Sequence, residues 1–363
     1  LTKKGSNQSQ KRCSEKSQIV FAKACNNDAT ATVLKPNNDL LVAIVEKLFK
    51  FPPIFNMAAA SARKKIICRA SQLFKSKSFM PEDLLYAIDW SAAVQAAIDP
   101  SVHIPEYYKA PFHAYPSGNL DIVPALEVDL AAMSVHASVM DPTGKTLDPE
   151  GDNKLRGSYS RCQKELLRKL GARKIEKILD VGAATGLSSL ELMRAHPDAE
   201  VVGIDLSPYF LAVGKYQQQQ REKMNTSVVE GEGEEGSSNK EKLTLLHAQA
   251  EDTKLPSESF DLVSICLVCH ELPQQPTKDI FKEAYRLLKQ GGALSIMEMN
   301  PNSPAFQRVL SNPIPYVVFK STEPYLSDYV ELNMSGSIVE AGFEEPTQLE
   351  NSPRHKTVVA LKK

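Results

Sequence analysis

The sequence has almost no net charge: 43 Lys and Arg stand against 44 Asp and Glu, for a formal charge of −1. A chain without a global field is not drawn as a whole onto nucleic acid or an anionic membrane, although a local patch is compatible with that balance. Long hydrophobic runs are also missing. The longest apolar stretch, Leu262 to Cys269, falls far short of the roughly 20 residues a membrane-spanning helix needs, so no transmembrane segment is expected. Paired metal-ligand spacing is absent from the six cysteines Cys13, Cys25, Cys68, Cys162, Cys266 and Cys269. Cys266 and Cys269 do form C-x-x-C, but inside an apolar run and without a second ligand pair or the helix start of a redox motif. They read as buried strand thiols in a reducing compartment, and no metal site is expected. Internal repeats are missing as well.

What is present is a graded organisation along 363 residues, enough for one large domain with appendages or for two domains. Residues 1–38 begin at Leu1, are rich in Ser, Asn, Lys and Thr and carry few acids; this composition suits an organellar transit peptide or a flexible tail. Order is expected from Asp39. Leu40, Leu41, Ile44, Val45, Leu48 and Phe49 recur at helical spacing until Pro52-Pro53, and a second amphipathic stretch runs from Ile54 to about Leu73. Residues 104–124 form a loop-rich passage with Tyr107, Tyr108, Phe112, His113 and Tyr115; a helix fits 125–140, and 141–153 reads as a polar connector. From Ile175 short apolar runs alternate with amphipathic helices, the pattern of a parallel sheet with crossovers. Strands are expected at 177–181, 200–205, 243–248, 260–266, 293–299, 343–350 and 355–361, and helices at about 187–195, 208–223, 277–289 and 327–341. Residues 225–242, with Glu230-Gly-Glu-Gly-Glu-Glu-Gly236, are expected to be a disordered acidic surface insertion.

The informative block is Ile178-Leu-Asp-Val-Gly-Ala-Ala-Thr-Gly186. It reads as a strand, a turn of small residues and a helix start, where free N–H groups and close backbone approach suit a nucleotide-like ligand. A glycine-rich turn alone is weak evidence of any particular ligand. Asp180 sharpens it: a carboxylate at the strand end repels a pyrophosphate but favours a ligand with an ammonium and a sulfonium. The bland alternative is a helix-capping or turn carboxylate. The next strand, Glu200 to Asp205, ends in an acid placed to meet two ribose hydroxyls, and Ser207-Pro208 starts the following helix.

Asp180-Val-Gly-Ala-Ala-Thr-Gly186, Gly203-Ile-Asp-Leu-Ser-Pro208, Gln249-Ala-Glu-Asp252, Phe260-Asp-Leu-Val263 and Arg286-Leu-Leu-Lys-Gln-Gly-Gly292 stand in the order of the class I S-adenosylmethionine-dependent methyltransferases. The chain resembles that family over about residues 175–300, most closely its small-molecule branch with the quinone-biosynthesis enzymes, in plant and cyanobacterial form. The resemblance implies an α/β, Rossmann-like seven-stranded, mostly parallel sheet with an N-terminal helical cap. The cap is expected at 39–155 and the methyltransferase domain at 156–363. It also implies S-adenosyl-L-methionine as cofactor, with Gly182, Ala183, Ala184, Thr185 and Gly186 around its methionine and ribose portions and Asp180 nearby. Asp205 would hold the ribose, Leu206 would pack on adenine, Gln249, Ala250 and Glu251 would border the adenine edge, and Leu267 would supply a backbone contact. Many relatives have Asp where this chain has Gln249, an amide that accepts hydrogen bonds without the charge. On the same resemblance, the N-terminal segment would direct the chain to the chloroplast; a cytoplasmic protein with a flexible terminus is the alternative.

Methyl transfer is an in-line displacement that needs alignment and dryness more than functional groups. The acceptor side is expected from residues 104–124 and from the insertion 302–325, with Tyr107, Tyr108, Phe112 and Tyr115 either lining an apolar pocket or packing the cap. The expected acceptor is a small, partly apolar molecule. No Asn/Asp-Pro-Pro-Tyr element and no basic stripe point to a base or RNA, and no nucleic-acid partner is expected. A protein or RNA methyltransferase and a degenerate fold kept as a binding or assembly module are the competing readings. His270, just past the fourth strand, is the candidate catalytic base, with a structural histidine as the alternative.

Overall fold

The computed structural model describes residues 47, 52–74, 81–113, 115–229 and 242–363. Residues 1–38, the helix expected at 40–49 apart from Lys47, and residues 230–241 of the acidic insertion lie outside the described residues. The cap contributes α1 (Pro52–Leu73), α2 (Pro81–Leu85), α3 (Trp90–Ala97) and α4 (Ile122–His136). Then come α5 (Gly151–Leu170), β1 (Lys177–Val181), α6 (Leu187–Ala195), β2 (Glu200–Asp205), α7 (Pro208–Val229), β3 (Leu243–His247) and β4 (Phe260–Cys266). The chain continues through α8 (Gln274–Leu287), β5 (Leu288–Met299), α9 (Pro304–Leu310), α10 (Pro313–Thr322), α11 (Leu326–Glu331), α12 (Met334–Glu340), β6 (Thr347–Glu350) and β7 (His355–Leu361).

The seven strands form one sheet in the order β3-β2-β1-β4-β5-β7-β6, parallel except that β7 runs antiparallel to both β5 and β6. This is the Rossmann-like architecture expected from the sequence. Because β1, β2 and β4 are buried on both faces, they read as continuous apolar runs rather than as alternating ones. Ile178, Val201, Leu262 and Ala293 face Leu166, Leu192 and Leu211 of α5, α6 and α7. Their neighbours Leu179, Val202, Val263 and Leu294 face Ile280, Phe281 and Leu287 of α8 and Ile338 of α12. The chain winds from β1 outward to β3, then returns to β4 on the other side of β1. The loops leaving β1 and β4 therefore part in opposite directions, and the crevice between them is where such sheets receive ligands. Among the described residues no helix is long and apolar enough to cross a membrane.

Several elements differ from the sequence expectation. Helix α7 runs on to Val229, into the segment expected to be disordered, because no Gly or Pro interrupts the chain between Gly214 and Gly231. The single helix expected at 327–341 is two, since Asn333 accepts from the Gly336 N–H at 3.0 Å and caps a new start. Helix α3 was not anticipated, although Asp89 caps it through the Ala92 N–H and Trp90, Val94 and Ala97 form its buried stripe. Helix α5 begins inside the expected connector, and the boundary drawn between residues 155 and 156 falls within it; its apolar side packs on the sheet, including β7.

The start of α5 is wedged against the end of α4. A Cβ at Gly151 would lie 2.2 Å from the His136 carbonyl oxygen, a backbone atom that cannot rotate away. Gly151→Ala is therefore expected to destabilise the protein by about 1–3 kcal/mol, as overpacking does, visible as a lowered melting temperature; an unchanged melting temperature would show that the α4–α5 junction yields freely.

Candidate active site

A single cavity of about 620 Å³ lies over the carboxyl ends of β1, β2 and β4, beneath α1, α4 and the aromatic passage. Its floor is the β1–α6 turn. Gly182 has φ +69°, and a Cβ there would meet a Val268 methyl carbon at 2.5 Å, so glycine lets this turn lie against the loop leaving β4. Ala184 is also left-handed, at φ +49°, an uncommon conformation for a residue with a side chain. It is held there by its N–H, which donates to Asp205 Oδ2 at 2.8 Å. The other Asp205 oxygen, Oδ1, accepts from the Ser207 N–H at 2.8 Å, and the Tyr108 hydroxyl lies 3.4 Å away. Burial raises the Asp205 carboxyl above its ordinary value, against the lowering effect of those N–H donors. Leu206 follows, with its carbonyl accepting from His247 Nε2 at 3.1 Å while His247 Nδ1 accepts from the Asp99 N–H at 3.0 Å. That pair of bonds fixes the imidazole tautomer and ties the cap to the end of β3.

The cavity touches Gly182, Ala183, Ala184, Thr185, Asp205, Leu206, Ala250, Glu251, Leu267 and His270. Three other residues expected in the site do not line it: Asp180, Gly186 and Gln249. Asp180 points away from the cavity, into the first turn of α6. Its Oδ2 accepts from Ser188 Oγ at 2.7 Å and Ser189 Oγ at 2.6 Å, while Oδ1 has no partner. Burial pushes its carboxyl up to about 6. The structure thus gives Asp180 the turn-carboxylate role, with its charge felt through the turn rather than by contact. Gly186, at φ +101°, is the residue before α6 and supplies the conformation that starts the helix. Gln249 stands beside the cavity rather than in it.

Both segments expected on the acceptor side line the cavity, and they touch: the His113 N–H donates to the Thr322 carbonyl at 2.8 Å, and the Tyr325 hydroxyl donates to the Tyr107 carbonyl at 3.1 Å. Tyr107, Tyr108, Phe112 and Tyr115 all line the cavity. Tyr107 also donates to Glu251 and so joins cap to domain, while Tyr115 donates to Glu127 Oε2 at 2.5 Å and ties the aromatic passage to α4 within the cap. Phe306, Phe319, Met299, Leu272 and Ile280 complete an apolar arm.

Polar groups converge on that arm, and the carboxylates among them were not singled out by the sequence. His270 Nδ1 lies 3.0 Å from both oxygens of Glu298, which is fully buried in β5. Burial opposes a charge on the ring, but the Glu298 carboxylate prevails and raises the imidazole to about 10. His113 Nε2 sits 3.2 Å from Glu323 Oε1, which raises that imidazole too, against its burial. Glu271, next to His270, has no hydrogen-bond partner among the described residues, and burial raises its carboxyl to about 7 despite the lowering influence of His113 and His270. An imidazole that already holds both protons at neutral pH has no lone pair to offer. The raised value weighs against His270 as the base expected from the sequence, although its ring lines the cavity with Nδ1 held by Glu298; Glu271, in the same wall, is poised to change protonation around neutrality.

At the β4 end stands Arg156 of α5, also unforeseen. Its Nε donates to Asp152 Oδ2 at 3.0 Å, Nη1 reaches Cys266 Sγ at 3.6 Å, and the other Asp152 oxygen lies 2.7 Å from His136 Nδ1. Cys266 and Cys269 are buried free thiols, the former pushed up to about 12 by burial. Thr185 donates to Asp129 of α4, whose other oxygen accepts from Gln217 at 2.9 Å.

Residues 179–296 match the family described as a methyltransferase domain. The chain carries a methyltransferase domain. Demethylmenaquinone methyltransferase of Staphylococcus aureus (strain JH9) is 30% identical over 149 residues, 40% of this chain and 53% of the relative. The chain thus spans about half the length of the curated relatives it matches. Among solved structures, human N-acetylserotonin methyltransferase in complex with SAM gives a TM-score of 0.45 at 13% identity, over 81% of this chain and 70% of that one. A SAM-dependent methyltransferase from Aquifex aeolicus gives 0.41 at 15% identity, over 67% of this chain and 100% of that one. The matched segment runs from β1 through most of β5 and includes the β1–α6 turn, Asp205 and the loop leaving β4. The cap and the α9–α10 segment, which close the far end of the cavity, lie outside it.

Proposed function

We propose that this chain is an enzyme that transfers a methyl group from S-adenosylmethionine to a small, partly apolar acceptor. The observation that carries this reading is the continuity of the cavity, which joins the β1–α6 turn and Asp205 to an apolar arm closed by the cap and by α9–α10. The donor set fits the cofactor. A carboxylate has about four lone-pair sites, so beyond its two backbone bonds Asp205 keeps acceptor capacity for one ribose hydroxyl, and for a second where the Tyr108 hydroxyl, at 3.4 Å, gives way. Leu206, Ala248 and Phe210 offer apolar surface to a purine, with Glu251 at its edge. The buried Asp180 carboxylate lends negative potential beneath the turn, favourable to a cationic ligand.

When bound, S-adenosylmethionine supplies a methyl group activated by a cationic sulfur. The chain's own residues align the acceptor, exclude water and manage one proton. The His270 imidazolium, oriented by Glu298, donates toward an acceptor oxygen, and Glu271 takes the acceptor's proton. The walls of the apolar arm favour a ring-bearing small molecule over a polypeptide or RNA. Demethylmenaquinone, named in the Staphylococcus aureus relatives, is the first acceptor to try. The composition of residues 1–38 supports placing the protein in the chloroplast; cytosolic fluorescence of a reporter fused behind that segment would overturn this.

Calorimetric titration with S-adenosylhomocysteine tests the cofactor reading directly. Asp205→Ala is expected to weaken binding by about 1.5–3 kcal/mol, the range for hydrogen bonds to a charged group. Unchanged affinity in a folded variant would remove Asp205 from the site. Mass-spectrometric detection of methylated product across hydroxylated aromatic and quinol acceptors then identifies the acceptor class.

A further inference from the structure

We propose that Arg354 recognises a carboxylate on the methyl acceptor, which makes the acceptor a ring-bearing acid rather than a neutral ring. The inference rests on the methyl-transfer reading above and concerns a residue outside the matched family segment. Arg354 lies in the turn between β6 and β7, half-buried, and lines the cavity together with His355. Its carbonyl accepts from the Asn300 N–H at 2.7 Å, and His355 pairs with Met299. The turn therefore abuts the end of β5, where Met299 walls the apolar arm. In the sheet order the cavity runs from Asp205 at β2, past β1 and β4, to Arg354 at β7. Arg354 thus stands beyond His270 and Glu298, at the opposite end from the ribose site.

The guanidinium has no hydrogen-bond or ion-pair partner among the described residues; only the Arg354 backbone N–H is bonded, to Ser352 Oγ at 3.1 Å. One carboxylate is near enough for its charge to be felt, that of Asp141 in the connector between α4 and α5. Its oxygens are already taken. Oδ1 accepts from the Thr143 N–H at 2.8 Å, and Oδ2 from the N–H groups of Lys145 at 3.1 Å and Thr146 at 2.8 Å. Gly144, in the same turn, has φ +70°, and a Cβ there would lie 2.5 Å from Arg354 Nη2. Glycine thus lets the connector pass close to the guanidinium without binding it. Arg308 of α9 donates to the Pro142 carbonyl at 2.7 Å and brings a second positive charge to this corner. Burial and Arg308 hold the Arg354 guanidinium below its ordinary value. A half-desolvated cation with all its donors unused is costly unless a ligand completes it. A planar carboxylate does so with two parallel bonds. Val139, just before the connector, and Ala305 and Val309 of α9 add apolar lining, which suits the body of an organic acid rather than a free inorganic ion. The competing role is a rim cation that balances Asp141 and meets only solvent.

Paired acceptors separate the two roles. Protocatechuate and dihydrocaffeate carry a carboxylate at two reaches from the same dihydroxylated ring, and their methyl esters carry none. With the full chain and S-adenosylmethionine, kcat/KM for at least one acid is expected to exceed that of its ester by about 10-fold or more, the effect of a charge-assisted hydrogen bond. Arg354→Gln should raise KM for that acid about 10- to 100-fold with kcat little changed, because the contact is remote from the methyl group. The ester should change by less than about threefold, since the residue's partner is missing from it. Arg354→Lys keeps the charge but not the fork and should retain part of the preference; it serves as the test if the glutamine variant does not fold. Esters used as well as acids, neither set methylated, equal weakening of acid and ester, or a preference that survives Arg354→Gln overturns the assignment. Methylation of demethylmenaquinone with both acids refused would keep the methyl-transfer reading and overturn only this inference. If the unaltered protein does not bind S-adenosylhomocysteine, that reading itself fails, and this inference with it.

Discussion

Glu298→Gln should lower the melting temperature by about 10 °C near neutral pH, with the loss shrinking as the solution is made alkaline. Glu298 is fully buried in β5 and grips the His270 ring through both oxygens. Removing one partner of a buried ion pair costs about 3–5 kcal/mol, because the other charge is left uncompensated. Each kcal/mol moves the transition of a domain of 150–250 residues by about 2–4 °C. The pH dependence follows from the imidazole. Its folded value is raised to about 10, against roughly 6.5 in an unfolded chain. A cation stabilised by folding contributes fully below its unfolded value and loses that contribution as pH rises through its folded one. The gap between parent and variant should therefore be widest near pH 6 and close above about pH 10. Thermal unfolding followed across this range measures it. A gap that stays constant would mean that Glu298 acts through packing and neutral hydrogen bonds. Ring resonances of His270 supply a second readout: they should stay those of imidazolium through pH 8 in the parent and shift to the neutral form in the variant.

Much of the sheet was legible because its central strands are buried on both faces and bounded by turn-forming residues. β1, β2 and β4 begin and end where the apolar runs do. The small-residue turn and the acid ending β2 were equally plain, since a left-handed backbone and a strand-end carboxylate leave local marks. What sequence periodicity does not carry is the direction of a side chain at a strand end. Asp180 precedes the turn by the right spacing for a ligand, yet it turns inward because Ser188 and Ser189 offer it two hydroxyls eight and nine residues later. Glu298 was a readable clue passed over: a lone acid in Ser295-Ile-Met-Glu-Met299 is expensive to bury and implies a partner elsewhere. That partner, His270, was noted only as a neighbour of the fourth strand, and their pairing follows from β4 and β5 lying side by side. Arg156 left the weakest trace, because α5 merges with a polar connector and the residue gains its meaning only from long-range packing of α5 against β5, β6 and β7, which brings it to Cys266 at the end of β4.

Glu271→Gln should make the protein more stable and a worse catalyst. The Glu271 carboxyl has no hydrogen-bond partner among the described residues and lies in the cavity wall. Burial, together with Glu323 and Asp205, raises it to about 7, while His113 and His270 pull it down. A carboxyl whose folded value lies above its unfolded one, about 4.3, holds its proton more tightly in the folded state between the two. Stability is then highest at low pH, falls as pH rises towards 7 and is flat beyond, the reverse of a carboxylate held by donors. Glutamine removes that fall. The variant should match the parent near pH 4.5 and exceed it above pH 7, by up to about 4 kcal/mol at 1.36 kcal/mol per pKa unit. A stabilising substitution in an active site marks a group retained for function at the expense of stability. If Glu271 takes the acceptor's proton, methyl transfer by the parent should rise with pH through about 7. The variant should then lose about 10²-fold in turnover, the usual share of a positioned base, with S-adenosylhomocysteine binding intact. Equal melting temperatures at pH 8 would show that the carboxyl is well solvated. Full turnover in the variant would show that the acceptor arrives already ionised, with the His270 imidazolium holding its oxygen.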